Sequence, residues 1–265
     1  MAEYDRRYAT TSTRTQDGVV DQGLRSYMLT VYNYMAMGVA LTGLVAYFVF
    51  TQAVTLDPNL AAKSATGAAY ALKRGMYLTQ LGAALYATPL KYVVMFSPLA
   101  FVLVLSFGIS RMSVGVAQAV FWAYAAVMGL SLSSIFIVFK MGSIASVFFI
   151  TAAAFASLSL YGYTTKKDLS GWGTFLFMGL IGIILAGLVN IFLQSSALKF
   201  AINVIGVLVF AGLTAYDTQR IKDGYYEVVG HAELMAKEAL MGALNLYLNF
   251  INMFMMLLQL FGDRD

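Results

Sequence analysis

Cysteine is absent from the 265-residue chain, and His231 is its only histidine. A chain without cysteine forms no disulfide, no thiol nucleophile and no cysteine metal site. One histidine is too few for a zinc site of the His-Glu-x-x-His kind or for a Ser-His-Asp triad. Glycine-rich phosphate loops that end in Lys-Ser or Lys-Thr are also missing. We therefore expect a protein that is not an enzyme and that uses no cofactor and no metal centre.

Charge is scarce throughout the chain. Only 11% of the residues are charged and 60% are hydrophobic, and the mean hydropathy is +0.74. Soluble proteins have about 25% charged and about 45 to 50% apolar residues, so this composition indicates a membrane protein. The net charge of +4 favours contact with anionic lipid head groups. No basic face is interleaved with aromatic residues, so we expect membrane lipids and no nucleic acid as partners.

Seven long apolar runs account for most of the sequence. A helix needs roughly 20 mostly apolar residues to span the hydrocarbon core, and these runs lack the alternation of a transmembrane barrel. The sequence therefore predicts an all-α integral membrane protein with seven transmembrane helices. The predicted spans are 27–50, 92–110, 114–139, 143–163, 174–193, 200–219 and 240–261.

The segments outside these runs are more polar. Residues 1–26 have no long apolar stretch and no small-residue cleavage site, which predicts a mobile cytoplasmic tail rather than a signal peptide. Residues 27–265 then form the transmembrane domain, with a long first loop at 51–91. Within that loop we expect residues 71–87 to form an amphipathic helix at the membrane interface, with an eighth membrane segment or a loop as the alternatives.

Two further expectations concern the connections. A loop of about twenty residues, 220–239, is expected between the sixth and seventh helices. The segments assigned to the cytoplasm hold ten of the 17 lysines and arginines if the amino terminus is inside. This distribution favours a cytoplasmic amino terminus and an external carboxy terminus.

Asp217 is the one acid inside an apolar run, within the stretch VFAGLTAYDTQRIK. A carboxylate at the bilayer centre costs roughly 2.5 to 3.5 kcal/mol on insertion scales, so such a residue usually faces a bundle interior or a wet cavity. Alternatively, Asp217 marks only the polar end of the helix, one turn from Arg220. The sequence leaves both interpretations open.

The seventh run carries a polar stripe. Its members recur at intervals of three and four residues, which places them on one helical face. They are Asn245, Asn249, Asn252, Met256 and Gln259. Lipid solvates amides poorly, so this face should meet other helices, and the depth of Asp217 corresponds to Asn245 or Asn249. The stripe indicates either a water-accessible path along a central helix or hydrogen bonds that only hold the bundle together.

Four stretches resemble signatures of the Bax inhibitor-1 family, also called transmembrane Bax inhibitor motif proteins. They are FAGLTAYDTQRIK at 210–222, LNLYLNFINMFMMLLQLFG at 244–262, KKDLSGWGTFL at 166–176 and LVNIF at 188–192. The resemblance implies seven helices, with the last central and surrounded by the other six as two inverted three-helix groups. It also suggests a bacterial inner membrane.

The same resemblance implies a function, a pH-sensitive calcium leak gated by two aspartates that face each other from the sixth and seventh helices. The first falls on Asp217 and the second on Asn249, because the usual LYLDFIN reads LYLNFIN here. Asn245 and Asn252 are then expected beside them on the ion path, and Arg111 is the candidate for a basic residue that latches the acid. With an amide in place of one carboxylate, we expect a simpler titration of Asp217 and a weaker attraction for divalent cations.

Two other functions fit parts of the pattern. An intramembrane aspartyl protease needs a second aspartate in a GxGD motif. The nearest approach, LFGD at 260–263, lacks the first glycine and lies a membrane thickness from Asp217. A non-conducting regulator that binds other membrane proteins agrees with the family's association with suppression of cell death and with the polar tail. Its partners are other membrane proteins, whereas the leak requires calcium ions.

Overall fold

The described part of the chain comprises most of its residues. The computed structural model describes residues 2–64 and 67–264, with side chains from residue 22 onward except that of Arg74. The predicted tail at 1–26 falls mostly on residues 1–21, whose side chains lie outside this part of the chain. The mobility of the tail therefore stays a prediction.

Seven of the described helices are long and apolar enough to cross a membrane, which confirms the predicted all-α fold. They are α1 (Ala2–Ala53, apolar from Gln22), α2 (Leu90–Gly108), α3 (Val114–Leu132), α4 (Met141–Thr164), α5 (Ser170–Leu193), α6 (Ser196–Val228) and α7 (Ala232–Phe261). Ser113 and Ser195 cap α3 and α6 by accepting a backbone N–H. Short helical turns at Ile109–Arg111 and Ile135–Val138 extend α2 and α3.

The last helix is the centre of the bundle. In the apolar window of α7 61% of the residues are buried, compared with 33% or less in the other six. It packs directly against α6, α1, α4 and α3, while α2 packs mainly on α3 and α5 mainly on α6. Helices α1 to α3 and α4 to α6 thus repeat one pattern, in which the first and second helix of each group both pack on the third. The predicted central position of the last helix is confirmed, with α2 and α5 as the outer members.

The long first loop folds differently from the predicted interfacial helix at 71–87. Its strands β1 (Val54–Thr55) and β2 (Tyr77–Leu78) pair in antiparallel fashion. Short helical turns occur at Pro58–Leu60, Lys73–Gly75, Gln80–Gly82 and Ala83–Ala87. The prediction is therefore wrong for the first half of the segment. The loop takes this form because of a contact between distant segments. The N–H of Thr79 donates to the carbonyl of Ala53 at the end of α1 over 3.0 Å, which fixes β2 beside β1.

The connection between α6 and α7 is also shorter than predicted. Only residues 229–231 separate the two helices, and Gly230 turns the chain with a φ of 93°. The expected loop at 220–239 is instead helical apart from this turn. Its alanine, glutamate, lysine and methionine residues favour helix, and Glu233 pairs with Lys237 over 2.8 Å. Both helices thus continue past their apolar segments, antiparallel and joined by a tight turn.

Candidate functional site

Asp217 and Asn249 meet at the contact between α6 and α7. Nδ2 of Asn249 donates a hydrogen bond to Oδ2 of Asp217 over 2.7 Å. Both residues are buried, with 7% and 5% of their surface exposed. Sequence depth left the choice between Asn245 and Asn249 open, and the structure brings Asn249 to the carboxylate. Because α7 is central, the acid points into the bundle and away from lipid.

The other carboxylate oxygen of Asp217 pairs with Arg220, one turn along the same helix. Nη2 of Arg220 lies 3.0 Å from Oδ1, and 52% of the arginine side chain is exposed. Its guanidinium carbon also lies 5.7 Å from the centre of the Tyr216 ring. The ion pair therefore reaches from a buried acid to the bundle surface. Both sequence interpretations of Asp217 apply, because it faces the interior and also pairs with Arg220.

A chain of hydroxyl groups joins α1, α4 and α6 beside this pair. Oη of Tyr32 lies 2.6 Å from Oγ of Ser159, which lies 2.9 Å from Oγ1 of Thr218. Thr218 also donates to the backbone oxygen of Thr214 over 2.8 Å. Sequence reasoning missed this hydroxyl chain, and its one local signal is that Thr218 adjoins Asp217.

Gln219 fixes α6 to the connection between α4 and α5. Its Oε1 accepts the backbone N–H of Leu169 over 2.8 Å, and its Nε2 donates to the backbone oxygen of Lys167 over 2.9 Å. Gln219 is buried, so these bonds satisfy an amide that is shielded from solvent. The KKDLSGWG stretch is thereby held against the helix turn that carries Asp217.

A cleft of 330 Å³ lies at the end of the bundle that carries the α6–α7 turn, which we name the turn end. Its charged and amide lining residues are Asp168, Asp223, Glu227, Glu238, Arg220, Gln219 and Asn245. We name it the acidic cleft, because four carboxylates outnumber one guanidinium along its walls. Arg220 lines the cleft and also pairs with Asp217, so it stands between the cleft and the buried acid.

Asp168 shows how one of these carboxylates is kept ionised. The backbone N–H of Ser170 donates to Oδ1 of Asp168 over 2.8 Å. This hydrogen bond lowers the pKa of Asp168, which lies between α4 and α5 outside the spans. Asp168 is therefore negatively charged at neutral and mildly acidic pH. Among the residues that the structure describes, no three acidic or histidine side chains converge as metal ligands.

A second polar cavity, of 400 Å³, lies toward the opposite end between α5, α6 and α7. Its polar lining residues are Asn190, Lys199, Asn203, Asn252 and Gln259, and we name it the amide cavity. Nδ2 of Asn203 lies 3.4 Å from Oε1 of Gln259, and Nδ2 of Asn252 donates to a backbone oxygen one turn back over 2.8 Å. The polar stripe of α7 therefore has Asn245 at the acidic cleft and Asn252 and Gln259 at the amide cavity.

From the wall of the amide cavity to the Asp217–Asn249 pair, α6 and α7 pack closely. Met256 lies against Gly206, where an added Cβ would collide with the methionine sulfur. Phe210 is buried on the same stretch of α6, and the hydrogen bond between Asp217 and Asn249 continues the contact. The polar stripe thus connects the two cavities through a closed, packed segment.

Arg111 lies apart from this arrangement. It ends the helical turn after α2 and is exposed, and α2 packs mainly on α3. Within the described part of the chain, the side chain of Asp217 makes polar contacts with Asn249 and Arg220. The structure therefore brings Arg220 to the acid and leaves Arg111 outside the site.

Known proteins match nearly the whole chain. The family model described as "Inhibitor of apoptosis-promoting Bax1" matches residues 24–265. The inner membrane protein YbhL of Escherichia coli strain K12 is 45% identical over 243 residues, which are 91% of this chain and 93% of that protein. An uncharacterized protein of Caulobacter vibrioides is 44% identical over 265 residues, covering 100% of this chain and 99% of the relative. Together with the seven membrane-spanning helices, of which α7 is the central one, these matches show that the chain belongs to the Bax inhibitor-1 family of multi-pass membrane proteins.

Proposed function

We propose that the protein is a pH-sensitive cation leak that passes calcium along the polar face of α7, with the Asp217–Asn249 pair as its closed gate. The observation that carries this proposal is the line of polar groups from the acidic cleft through the pair to the amide cavity. Amides that only hold helices together need no cavity at either end of their stripe. A path that opens on rearrangement of α6 against α7 accounts for both cavities.

The acidic cleft gives cations access to the gate. Clefts lined by one sign of charge raise the local concentration of counter-ions. Arg220 acts there as a tethered cation, because an arriving ion must displace its guanidinium before it reaches Oδ1 of Asp217. An exposed ion pair contributes about 0 to 1 kcal/mol, so a divalent cation can compete with this half-exposed one.

Protonation of Asp217 is the proposed origin of pH sensitivity. The ionised carboxylate accepts hydrogen bonds from Asn249 and Arg220 and attracts cations. A proton on Asp217 removes that charge, so flux falls as the acid becomes protonated. Asn249 does not titrate, and one proton therefore governs the transition, whereas two facing carboxylates titrate as a coupled pair.

Calcium flux into proteoliposomes, measured across a pH series, tests the proposal. Asp217→Asn keeps the size of the side chain and removes its charge, and we expect it to abolish flux. Asn249→Asp restores a second carboxylate and should turn a one-proton profile into a broader one with two steps. Asn252→Asp adds the same charge to the proposed path one turn away from the pair, and it should alter the flux without the coupled two-step profile of Asn249→Asp. A silent Asp217→Asn, or an unchanged profile in Asn249→Asp, would refute the proposal.

A non-conducting regulator is the second candidate, and the packed contact between Met256 and Gly206 favours it. A bundle that stays closed at this contact would act by binding another membrane protein. Absence of flux from the purified protein, together with co-purification of a membrane protein that depends on residues 1–25, would support the regulator. Flux that Asp217→Asn abolishes would rule it out as the sole function.

The orientation is part of the proposal, with the amino terminus and the turn end in the cytoplasm of a bacterium. Basic residues favour this side, and one relative is named an inner membrane protein. Because the chain has no cysteine, a single introduced cysteine reports its own side of the membrane. His231→Cys at the turn should resist a membrane-impermeant thiol reagent in intact spheroplasts, and Gln194→Cys between α5 and α6 should react. The opposite pattern would reverse the orientation.

A further inference from the structure

An apolar groove runs between α1 and α4 at the turn end. α1 packs mainly on α3 and α7, and α4 packs mainly on α6 and α7, so a cavity of 660 Å³ remains between α1 and α4. Met28, Tyr32 and Met35 line it from α1, and Phe155 and Ala156 line it from α4. We name it the α1–α4 groove. Its volume lies within the range of about 300 to 1,000 Å³ that is usual for small-molecule sites.

The groove opens toward the surroundings of the bundle. Leu29 on one wall and Leu160 on the other are 52% and 62% exposed. Both lie within membrane-spanning helices, so the medium beside the groove is lipid and not water. An apolar groove in that position suits an acyl chain.

The floor of the groove carries hydroxyl groups that already have partners. Tyr32 and Ser159 line the groove and belong to the hydroxyl chain that continues to Thr218. Burying an unpaired hydroxyl is unfavourable, but these groups stay paired when an apolar chain covers them. The floor is thus compatible with an acyl chain, and it adjoins the residue next to Asp217.

One end of the groove is basic. Arg25 lines this end together with Tyr163. Nζ of Lys222 donates to the backbone oxygen of Tyr163 over 3.1 Å and lies 5.8 Å from the centre of its ring. Guanidinium and ammonium groups are the side chains that bind phosphate, and basic residues beside a membrane favour anionic lipid.

We propose that the α1–α4 groove binds a phospholipid with an anionic head group, whose acyl chain lies between α1 and α4 and whose phosphate meets Arg25 and Lys222. A second apolar groove shows by contrast that the basic end is particular to the α1–α4 groove. It measures 600 Å³, lies toward the opposite end, and has no charged residue among its described lining residues. That second groove suits an acyl chain but offers nothing to select a head group.

Photolabelling of the full-length protein in neutral detergent tests this site. The probe is a phosphatidylglycerol that carries a diazirine in one acyl chain, and adducts are mapped by mass spectrometry after illumination. We expect adducts on Met28, Leu29 and Phe155. Unlabelled phosphatidylglycerol should compete at roughly 30-fold lower concentration than phosphatidylcholine, the factor expected for two basic residues near the lipid head group.

Three variants separate the tail from the head group. Ala156→Trp fills the α1–α4 groove and should remove labelling there. Ala145→Trp places the same side chain on an exposed alanine of α4 that lines the second groove, and should leave the labelling intact. Arg25→Gln should keep the labelling and lose most of the preference for phosphatidylglycerol. Thermal unfolding followed by circular dichroism shows which variants fold.

The unaltered protein decides the outcome even if a variant does not fold. Equal competition by phosphatidylglycerol and phosphatidylcholine would overturn the proposal, as would adducts spread evenly over all outer helix faces. Undiminished labelling in a folded Ala156→Trp would also overturn it. None of these readouts involves ion flux, so the lipid site and the proposed leak stand or fall separately.

Discussion

The acidic cleft and the amide cavity flank the same gate pair but differ in charge. Four carboxylates and Arg220 line the cleft, whereas the polar residues described around the amide cavity are amides and Lys199. The difference follows depth, because the cleft lies where α6 and α7 continue past their apolar segments, and charged groups are costly inside the hydrocarbon region. Amides supply polarity there at a lower cost. Along the proposed path, the lining therefore changes from charged groups to amide dipoles at Asp217.

The packed contact between Gly206 and Met256, at the wall of the amide cavity, should show the largest effect on stability. Gly206→Val places a side chain against the sulfur of Met256, and such overpacking should lower the free energy of unfolding by about 3 kcal/mol. Gly182→Val on α5 is the matched control, because an added Cβ there meets no atom within 4 Å. Thermal unfolding measures both, and Met256→Ala should partly rescue Gly206→Val. Equal losses at the two glycines would contradict the tight contact.

The gate pair should show the next largest effect. Asn249→Ala removes a hydrogen bond to a carboxylate and should cost about 2 kcal/mol at neutral pH. Asn252→Ala removes an amide that donates within its own helix, and should cost about 0.5 kcal/mol. Denaturant unfolding in detergent gives both values. The difference in unfolding free energy between the two variants should become smaller once Asp217 is protonated. A difference that does not depend on pH would contradict a hydrogen bond to an ionised carboxylate.

Neutralising one basic side chain in the acidic cleft and one at the amide cavity tests which end controls the flux. Arg220→Gln frees the carboxylate of Asp217 from its tethered partner, and we expect cation flux to rise about fivefold, which corresponds to about 1 kcal/mol for a half-exposed ion pair. Lys199→Gln alters an exposed charge at the amide cavity and should change flux less than about twofold. Proteoliposome flux at one pH measures both. A larger effect at Lys199 would move the controlling charge to the opposite end.

The smallest effect is expected at the rim of the acidic cleft. Asp168→Asn should lower flux slightly at low ionic strength and have no effect at 1 M salt, where the Debye length is about 3 Å. The backbone hydrogen bond from Ser170 lowers the pKa of Asp168, so the carboxylate keeps its charge at mildly acidic pH. The difference from wild type should therefore persist there and vanish only as the pH falls through that lowered pKa. A difference that vanishes near neutral pH would contradict this.

The sequence pattern predicted the seven spans, and it predicted that Asp217 lies at the same depth in the membrane as Asn245 or Asn249. Both rest on local patterns, since apolar runs define spans and a three-four spacing defines the face that carries Asn249. The contact of Asp217 with Asn249, rather than with Asn245, depends on how far α6 and α7 are shifted along each other. That shift is set by the tight turn at Gly230, which the sequence did not predict because a polar segment can be helix or loop.

Other features depend on contacts between distant segments. The hydroxyl chain from Tyr32 through Ser159 to Thr218 joins three helices, and no spacing within one helix encodes it. The hairpin in the first loop likewise forms because backbone groups at the end of α1 hold Thr79. Arg111 is a different case. The family resemblance suggested that it contacts Asp217, but α2 packs mainly on α3 and leaves Arg111 away from the acid.

The tight turn at residues 229–231 joins the two helices that carry the proposed gate. A helix of 33 residues is about 50 Å long, while the hydrocarbon core is about 30 Å thick, so part of α6 must project beyond it. α7 projects beside it, and the turn leaves no slack between them. The two projecting ends form a helical hairpin, and the same two helices carry Asp217 and Asn249. Gln219 and Lys222 tie this hairpin to the end of α4 and the connection after it, so a partner that contacts the projecting ends contacts the same helices that hold the buried carboxylate.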